Sequence, residues 1–308
     1  MKRTVYTIGE SLLDLIFTTE NTAISSVGGS LLNTSISLAK AGNKVSFISE
    51  TGNDHAGKLI LNSLKSSGID VSNINVFDKN QTAVALAFLD ENKNADYNFY
   101  KNYPLKRDLI IPEIADNDVL MFGSVYAVTN ELRKSIKKIL NKAHLKNTIV
   151  YYDPNIRKHC NNDDLQTYFY ENISFADIIK TSDEDIYNIF GNISFDDVYN
   201  NISKIGCKNL IITQNKYPVL VFTENLKIQV KTPEVEVISS IGAGDAFNAG
   251  LVHQILKNNI YKEQIPDLNA EKWADLIKTA INFATDVCKI YQNYISDEFA
   301  ANITNCRE

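Results

Sequence analysis

The sequence has few residues that could cross-link the chain or hold a structural metal. Its 308 residues include four histidines and four cysteines, the latter being Cys160, Cys207, Cys288 and Cys306. No two cysteines form a Cys-x-x-Cys pair, so we do not expect a zinc-stabilised fold. We expect the cysteines to be reduced thiols in a cytoplasmic protein. Apolar runs long enough for a signal peptide or a membrane span are also missing, which predicts no membrane partner.

Positive charge is in short supply as well. The chain carries 31 Lys and Arg against 37 Asp and Glu, a formal net charge of -6. A nucleic-acid-binding protein needs a basic footprint, so nucleic acid is not expected as the main partner. An anionic small molecule remains compatible with this charge, because a few backbone N–H groups can bind an anion on an acidic protein.

Short β-branched segments alternate with helical patterns along the chain. This alternation predicts an α/β fold with a doubly wound, mainly parallel sheet that has helices on both faces. No linker or internal repeat interrupts it, so a single domain over residues 1–308 is expected. The predicted strands of this sheet cover residues 4–8, 44–48, 119–122, 148–152, 178–179 and 210–213.

Two excursions break the alternation. Residues 11–27 and 82–108 contain strand patterns without a crossover helix, which predicts a small β-sheet lid over the main sheet. Later, residues 219–222 and 226–230 flank a short polar turn and predict an antiparallel hairpin at one edge.

The segment Gly242-Ala243-Gly244-Asp245 leads directly into a helical pattern. Two glycines let the backbone approach a ligand closely, and the N–H groups at a helix start favour an anion. A carboxylate there repels a phosphate unless it does chemistry, and accepting a proton from an attacking hydroxyl is the obvious use. The alternative is an ordinary helix start with Asp245 as its N-cap.

Polar residues follow several predicted strands. They include Gly9-Glu10, residues 153–155, residues 180–182 and residues 213–215. Ligands of open α/β sheets bind beyond the carboxyl ends of the strands, so these positions predict a polar cleft. A Rossmann dehydrogenase is not favoured, because the first strand is not followed by Gly-x-Gly-x-x-Gly.

Taken in order, these segments resemble the ribokinase-like (PfkB) family of sugar and nucleoside kinases over nearly the whole chain. Residues 239–247 match the second half of its signature Asp-Thr-x-Gly-Ala-Gly-Asp-x-Phe. Its opening signature is matched by Gly28, Gly29, Asn33 and Gly42, and a Gly-x-Asp-x-x-Gly element by Gly52, Asp54 and Gly57. The fold this implies is the ribokinase-like one, a doubly wound sheet with a small β lid.

Within that family, residues 153–157 and 176–185 look like the fructokinase and 2-keto-3-deoxygluconate kinase branch. The implied reaction is transfer of the ATP γ-phosphate to a primary hydroxyl of a ketohexose-type sugar. Fructose is the first expectation and 2-keto-3-deoxygluconate the second. A non-catalytic kinase-fold protein that binds a sugar is a competing interpretation, and a nucleoside kinase is a third that fits less well.

The resemblance also implies roles for individual residues. Asp245 would be the base, the N–H groups of Gly242, Ala243 and Gly244 would hold the transferring phosphoryl group, and Arg157 would reach a phosphate or a sugar-acid carboxylate. The implied sugar contacts are Asp14, Gly28, Gly29, Asn33, Tyr100, Lys101, Asn155 and Asp245. The implied nucleotide contacts are Lys180, Ser182, Thr213, Asn215, Ile241, Gly242, Gly244, Thr285 and Cys288.

The implied cofactors are ATP and Mg²⁺, with Asp185 acting on the metal through water. The alternative to a sugar contact for Asp14 is a solvated position on the lid. The alternative to a functional role for Arg157 and Lys101 is a surface salt bridge. In related kinases the lid often mediates dimer formation, so a homodimer through the lid is expected here.

Four departures from the family pattern lie on the nucleotide side. Ser239-Ser240 replaces Asp-Thr, and the usual Thr-Arg-x-Gly-Ala segment is not visible near residues 291–294. Potassium dependence is therefore expected to be weak or absent. The Asn-x-x-Glu element falls on Ser182 and Asp185, and the Thr-x-Gly-x-x-Gly turn becomes residues 213–218, where Pro218 offers no N–H to a phosphate.

Overall fold

Strands and helices alternate as the sequence pattern predicts. The computed structural model of the protein describes residues 2–19, 21–89, 95–156 and 163–305. The strands are β1 (Thr4–Ile8), β2 (Leu12–Thr19), β3 (Thr22–Gly28), β4 (Lys44–Gly52), β5 (Ile74–Phe77), β6 (Gln81–Leu89), β7 (Ala95–Asn102), β8 (Val119–Gly123), β9 (Ile149–Asp153), β10 (Ile178–Ser182), β11 (Leu210–Gln214), β12 (Tyr217–Phe222) and β13 (Lys227–Val230). The helices are α1 (Ser30–Lys40), α2 (His55–Ser66), α3 (Arg133–His144), α4 (Asp163–Phe175), α5 (Asp183–Phe190), α6 (Phe195–Ile205), α7 (Ala243–Lys257), α8 (Ala270–Cys288) and α9 (Asp297–Asn305).

The main sheet has nine strands in the order β13-β12-β11-β10-β9-β8-β1-β4-β5. Its first two pairs, β13 with β12 and β12 with β11, are antiparallel. All the others are parallel. The late hairpin therefore forms an antiparallel edge, as predicted. The opposite edge strand, β5, was not among the predicted strands, because four residues without clear alternation give too weak a pattern.

Helices cover both faces of this sheet. Along β8, Val119 and Met121 pack into one apolar cluster with residues of α1, α2, α7 and α8. Leu120 and Phe122 point the other way, into a second cluster with residues of α3, α4, α5 and α6. Because strand side chains alternate, a continuous apolar run such as β8 is what a sheet buried on both faces requires. None of the described helices could span a membrane, since each is too short or too polar.

A separate four-stranded sheet, in the order β3-β2-β6-β7, forms the lid. It arises from the two predicted excursions. Asp54 ties it to the main body, because its carboxylate caps α2 by accepting from the Gly57 N–H (2.8 Å) and also accepts from the Thr82 N–H and hydroxyl at the start of β6 (2.8 and 2.7 Å). Burial would raise the pKa of Asp54, but these hydrogen bonds outweigh it and lower the pKa.

Candidate active site

A cleft of about 960 Å³ lies at the carboxyl ends of the parallel strands. This is the edge at which open α/β sheets bind ligands. The residues predicted to contact a nucleotide all line it, together with Ala243, Asp245, Asn155 and Asp185. Those nine are Lys180, Ser182, Thr213, Asn215, Ile241, Gly242, Gly244, Thr285 and Cys288. These residues come from five separate parts of the chain and converge on one cavity.

The predicted anion cradle lies at the start of α7. Gly242 is the N-cap residue with a φ of 81°, a left-handed conformation that favours glycine. A Cβ at this position would lie 2.3 Å from the Asn293 carbonyl oxygen. The first N–H groups of a helix have no intrahelical acceptor, so they can face an anion in the cleft. One of the three predicted amides is already engaged, because the Ala243 N–H donates to the Ser240 carbonyl at 3.2 Å.

Asp245 lies in the first turn of α7 and is 7% exposed. Its Oδ1 accepts from the Ser30 hydroxyl at 2.6 Å, and its Oδ2 accepts from the Asn33 amide at 2.9 Å. Both partners belong to the first turn of α1, the helix that follows the Gly28-Gly29 pair. The two glycine-rich helix starts predicted from the sequence are therefore joined at this carboxylate. The N-cap residue of α7 is Gly242 and Asp245 lies three residues further on, so the N-cap interpretation of Asp245 is wrong.

Asn33 is 4% exposed and uses only part of its hydrogen-bonding capacity. Its Nδ2 donates to Asp245, while its Oδ1 is buried with no partner among the described residues. A buried acceptor without a donor costs free energy. A ligand hydroxyl beside Asp245 could satisfy it.

Asp14 joins this group from the lid. It is 6% exposed and belongs to β2, where it pairs with Ser26 of β3. A Cβ at Gly28 would lie 2.0 Å from its carboxylate oxygen, so a larger residue there would force the Asp14 side chain to move. Gly29, with a φ of 124°, lies against the Glu10 carbonyl in the same way. Asp14 is thus buried against the glycine pair that precedes α1, and the solvated alternative for it is wrong.

A buried Lys180–Asp153 pair lies beneath the cradle. The Lys180 Nζ is 3.4 Å from Asp153 Oδ2 and would be 3.3 Å from a Cβ at Gly244. Asn248, one turn after Asp245 on α7, donates to the same Asp153 oxygen at 2.6 Å. Asp153 Oδ1 is buried and has no hydrogen-bond partner among the described residues.

The two charges of this pair respond differently to burial. Burial raises the pKa of Asp153 from 3.8 to about 6, against the opposing effect of the Lys180 ammonium. Burial would lower the pKa of Lys180, but the carboxylates of Asp153, Asp185 and Asp245 outweigh it and raise the pKa. The ammonium therefore stays charged at the point where phosphate charge would accumulate.

Asp185, predicted to act on a metal through water, accepts hydrogen bonds from the protein at both carboxylate oxygens. Its Oδ2 accepts from the Ser182 N–H (3.0 Å) and hydroxyl (2.8 Å), which completes a capping box at the start of α5. Its Oδ1 accepts from the Ile156 N–H at 2.7 Å. Both oxygens of Asp185 thus accept hydrogen bonds, whereas Asp153 Oδ1 has no hydrogen-bond partner among the described residues. No cluster of three or more His, Cys, Asp or Glu able to hold a metal by itself occurs in the described part of the chain.

The turn after β11 contains a non-glycine residue in the left-handed region. Asn215 has a φ of 51°, and with Lys216 it forms the two-residue connection to β12. Pro218 lies within β12, where its carbonyl accepts from the Gln214 amide at 2.9 Å. The turn therefore closes as a hairpin without glycine.

The lid contributes residues that differ in part from those predicted. Asp14 pairs with Ala85, and Ala85 pairs with Phe99, so these three side chains share one face of the lid. Tyr100 pairs with Val84 and is 61% exposed on the opposite face. The structure thus separates Tyr100 from the predicted sugar contacts and brings Phe99 and Tyr97 to their side instead.

Two further predicted residues remain. The Lys101 ammonium is held by Glu10, with Nζ to Oε1 at 2.7 Å. Arg157 falls outside the described residues, while the nearby Asn155, with a φ of 42°, lines the cleft. Sequence reasoning did not select Ser30 or Asn248, although the helical spacing of Asn248 from Asp245 could have indicated it.

A family model described as pfkB family carbohydrate kinase matches residues 2–285. The chain belongs to this family and is a sugar phosphotransferase. Its relatives include a probable fructokinase-3 of Arabidopsis thaliana, 26% identical over 83% of this chain and 78% of the relative. An aminoimidazole riboside kinase of Salmonella typhimurium is 23% identical over 83% of this chain and 82% of that protein.

Solved structures share the fold at low sequence identity. A Vibrio cholerae fructokinase bound to fructose, ADP and calcium aligns with a TM-score of 0.84, at 21% identity, covering 95% of this chain and 94% of its own. A Salmonella enterica aminoimidazole riboside kinase bound to its riboside and an ATP analogue aligns with a TM-score of 0.83, at 20% identity, covering 98% and 99%. The ribokinase-like fold predicted from the sequence is confirmed.

Proposed function

We propose that the protein is an ATP-dependent kinase that phosphorylates a primary hydroxyl of a neutral ketohexose, with fructose as the first candidate. The observation that carries this proposal is the position of Asp245, a buried carboxylate at the mouth of the α7 cradle held by Ser30 and Asn33. Relatives named fructokinase support the substrate class.

The proposed mechanism assigns one task to each part of the site. Asp245 accepts the proton of the sugar hydroxyl as that oxygen attacks the γ-phosphorus, and ADP leaves on the opposite side. The N–H groups of Gly242 and Gly244, with the Lys180 ammonium below them, stabilise the charge on the transferring phosphoryl oxygens. Asp14 and the free Oδ1 of Asn33 accept hydrogen bonds from the sugar hydroxyls and orient the reacting one.

The residues at the cleft also fit a magnesium ion that is held mainly through water and nucleotide phosphates. Asp153 Oδ1 is a buried acceptor without a donor, which a metal-bound water would satisfy. Asp185 could also accept from a metal-bound water, because its Oδ1 accepts one hydrogen bond, from the Ile156 N–H, and a carboxylate oxygen can accept two. Magnesium supplies charge neutralisation on the nucleotide phosphates when it is bound.

An ADP-release assay across neutral sugars and sugar acids tests this proposal. We expect turnover with fructose, little or no change in rate when potassium replaces sodium, and loss of turnover in Asp245→Asn. Binding of fructose without turnover in the wild type would instead favour the non-catalytic interpretation. Turnover that requires potassium would contradict the expectation drawn from Ser239 and Ser240.

The proposal includes a homodimer formed through the lid. The lid face that points away from Asp14 is largely apolar, and Phe88 on it is 42% exposed. Light scattering on the purified protein is expected to give twice the mass of the chain, and Phe88→Asp is expected to give the monomer mass. A wild-type monomer would contradict this part of the proposal. The apolar residues of that face are Leu13, Leu15, Phe17, Val84, Leu86 and Phe88.

A further inference from the structure

We infer that Glu10 restricts the sugar site to uncharged sugars by forming an ion pair with Lys101, the cation that the lid presents to the site. This inference rests on the proposed kinase function and concerns its substrate class. It assigns a specificity-determining role to a residue in the connection between β1 and β2.

Glu10 and Lys101 form a partly buried ion pair. The Lys101 ammonium lies 2.7 Å from Glu10 Oε1 and 2.9 Å from Oε2, and the Tyr103 hydroxyl donates to Oε1 at 2.5 Å. The Glu10 side chain is 16% exposed and that of Lys101 is 35% exposed. Both carboxylate oxygens are thus in use, which distinguishes this pair from a single-contact surface salt bridge.

The pair is adjacent to the predicted sugar contacts. Glu10 lies in the short connection between β1 and β2, and a Cβ at Gly29 would lie 2.1 Å from its carbonyl oxygen. Lys101 lies over the ring of Phe99, 5.1 Å from its centroid, and Phe99 shares the lid face of Asp14. The ammonium therefore belongs to the lid side that covers the site, but its charge is already compensated.

A second cation behind Tyr103 is compensated in the same way. The Arg107 guanidinium, stacked 3.8 Å from the Tyr103 ring centroid, forms an ion pair with Glu50 that is almost fully buried. Burial raises the pKa of Glu50, and the bonds from Arg107 oppose that shift. The four charged groups of this cluster sum to zero, as two acids and two bases.

A sugar carboxylate entering this site would face an unfavourable field. It would meet Asp14 and Asp245, and it could gain Lys101 only by displacing Glu10 from a short ion pair. An uncharged sugar has no such cost, because its hydroxyls can donate to the two aspartates. Specificity of this kind comes from an element that penalises the wrong ligand.

Calorimetry in the absence of ATP separates this inference from catalysis. The probes are fructose and 2-keto-3-deoxygluconate, and the proteins are the wild type, Glu10→Gln, Lys101→Gln and the double variant. We expect the wild type to prefer fructose, and Glu10→Gln to tighten binding of the sugar acid relative to fructose by about tenfold, equivalent to ~1.4 kcal/mol. The double variant should lose that gain, since the released ammonium is what binds the acid.

The double variant keeps the test decisive if Glu10→Gln alone does not fold. Because it removes both charges of a pair that is already compensated in the wild type, it should leave the fructose-to-acid affinity ratio unchanged within about twofold. A loss of sugar-acid binding greater than about tenfold in the double variant would show that the ammonium is available in the wild type, and would overturn the inference. A wild type that binds 2-keto-3-deoxygluconate as tightly as fructose would also overturn the inference, but it would leave the kinase proposal standing. If the wild type binds neither sugar, both the inference and the kinase proposal are overturned.

Discussion

The two halves of the cleft are built in different ways. On the proposed phosphoryl and sugar side, Asp245, Asn33 and Asp14 are all less than 8% exposed and are held by helix starts and sheet register. On the nucleotide side, the turn at Asn215 is a hairpin connection, and the polar atoms of Ser182 and Asp185 serve a capping box. The first half is preorganised for chemistry, whereas the second offers mainly space and loop backbone.

This difference teaches where the protein tolerates change. A group that reacts must be held in place before the transition state forms, which requires burial and fixed partners. A nucleotide binds through many weak contacts, so the loss of one glycine or one amide removes only a small part of its binding free energy. We therefore expect substitutions in the first half to have much larger effects than those in the second.

The largest expected effect is that of Asp245→Asn. The amide keeps the shape of the side chain but cannot take the hydroxyl proton, so kcat should fall by about 10²- to 10⁴-fold. Steady-state kinetics give the value, and calorimetric binding of the sugar serves as the control for folding. A variant that keeps more than a tenth of wild-type kcat would remove Asp245 from its proposed role.

Lys180→Met comes next, and its effect is on stability as well as rate. The substitution leaves the buried Asp153 without its cation, which should cost about 3 kcal/mol in the free energy of unfolding. The matched control is Asp153→Asn with Lys180→Met, which should recover part of that loss because no unpaired carboxylate remains. Urea denaturation measures both, and additive effects would mean that the two residues do not interact.

The pH dependence of stability is expected to report Asp153. Its pKa of about 6 in the folded protein lies above its ordinary value of 3.8, so the folded state binds more protons between these limits. The cost of the buried charge is present above pH 6 and disappears as the pH falls towards 4, a change of ~3 kcal/mol at most.

Comparing the wild type with Asp153→Asn isolates this contribution. The difference between their unfolding free energies should change across pH 4 to 7 in favour of the wild type at the acid end. A difference that is constant over that range would mean that Asp153 keeps its ordinary pKa.

The smallest expected effect belongs to the nucleotide side. Asn215→Gly relaxes the left-handed turn and should change the free energy of unfolding by no more than about 1 kcal/mol. The KM for ATP should move by less than about threefold, because this turn is one contact among many. Asn215→Ala is the control with a strained backbone. An effect on kcat as large as that of Asp245→Asn would break the contrast between the two halves.

Local pattern was enough for much of the fold. The parallel strands, the helix starts at Gly29 and Gly242 and the late hairpin follow from alternation and turn chemistry, which act within about ten residues. β5 was not predicted, because its edge position is fixed by pairing with β4 and not by its own sequence.

Side-chain direction in the lid was beyond local reasoning. Tyr100 and Phe99 are neighbours with similar character, and only the register of β7 against β6 decides which of them faces Asp14. A shift of one residue would exchange them, because strand side chains alternate between faces.

The sequence by itself determined the chemistry available at the start of α7, because the left-handed Gly242 and the acid three residues later are local properties. Only the tertiary structure decided what surrounds that acid. Ser30 lies 215 positions away along the chain, and Lys180 meets Asp153 because β9 and β10 are paired neighbours. Such contacts depend on which elements pack together, and packing is set by the burial of the whole core.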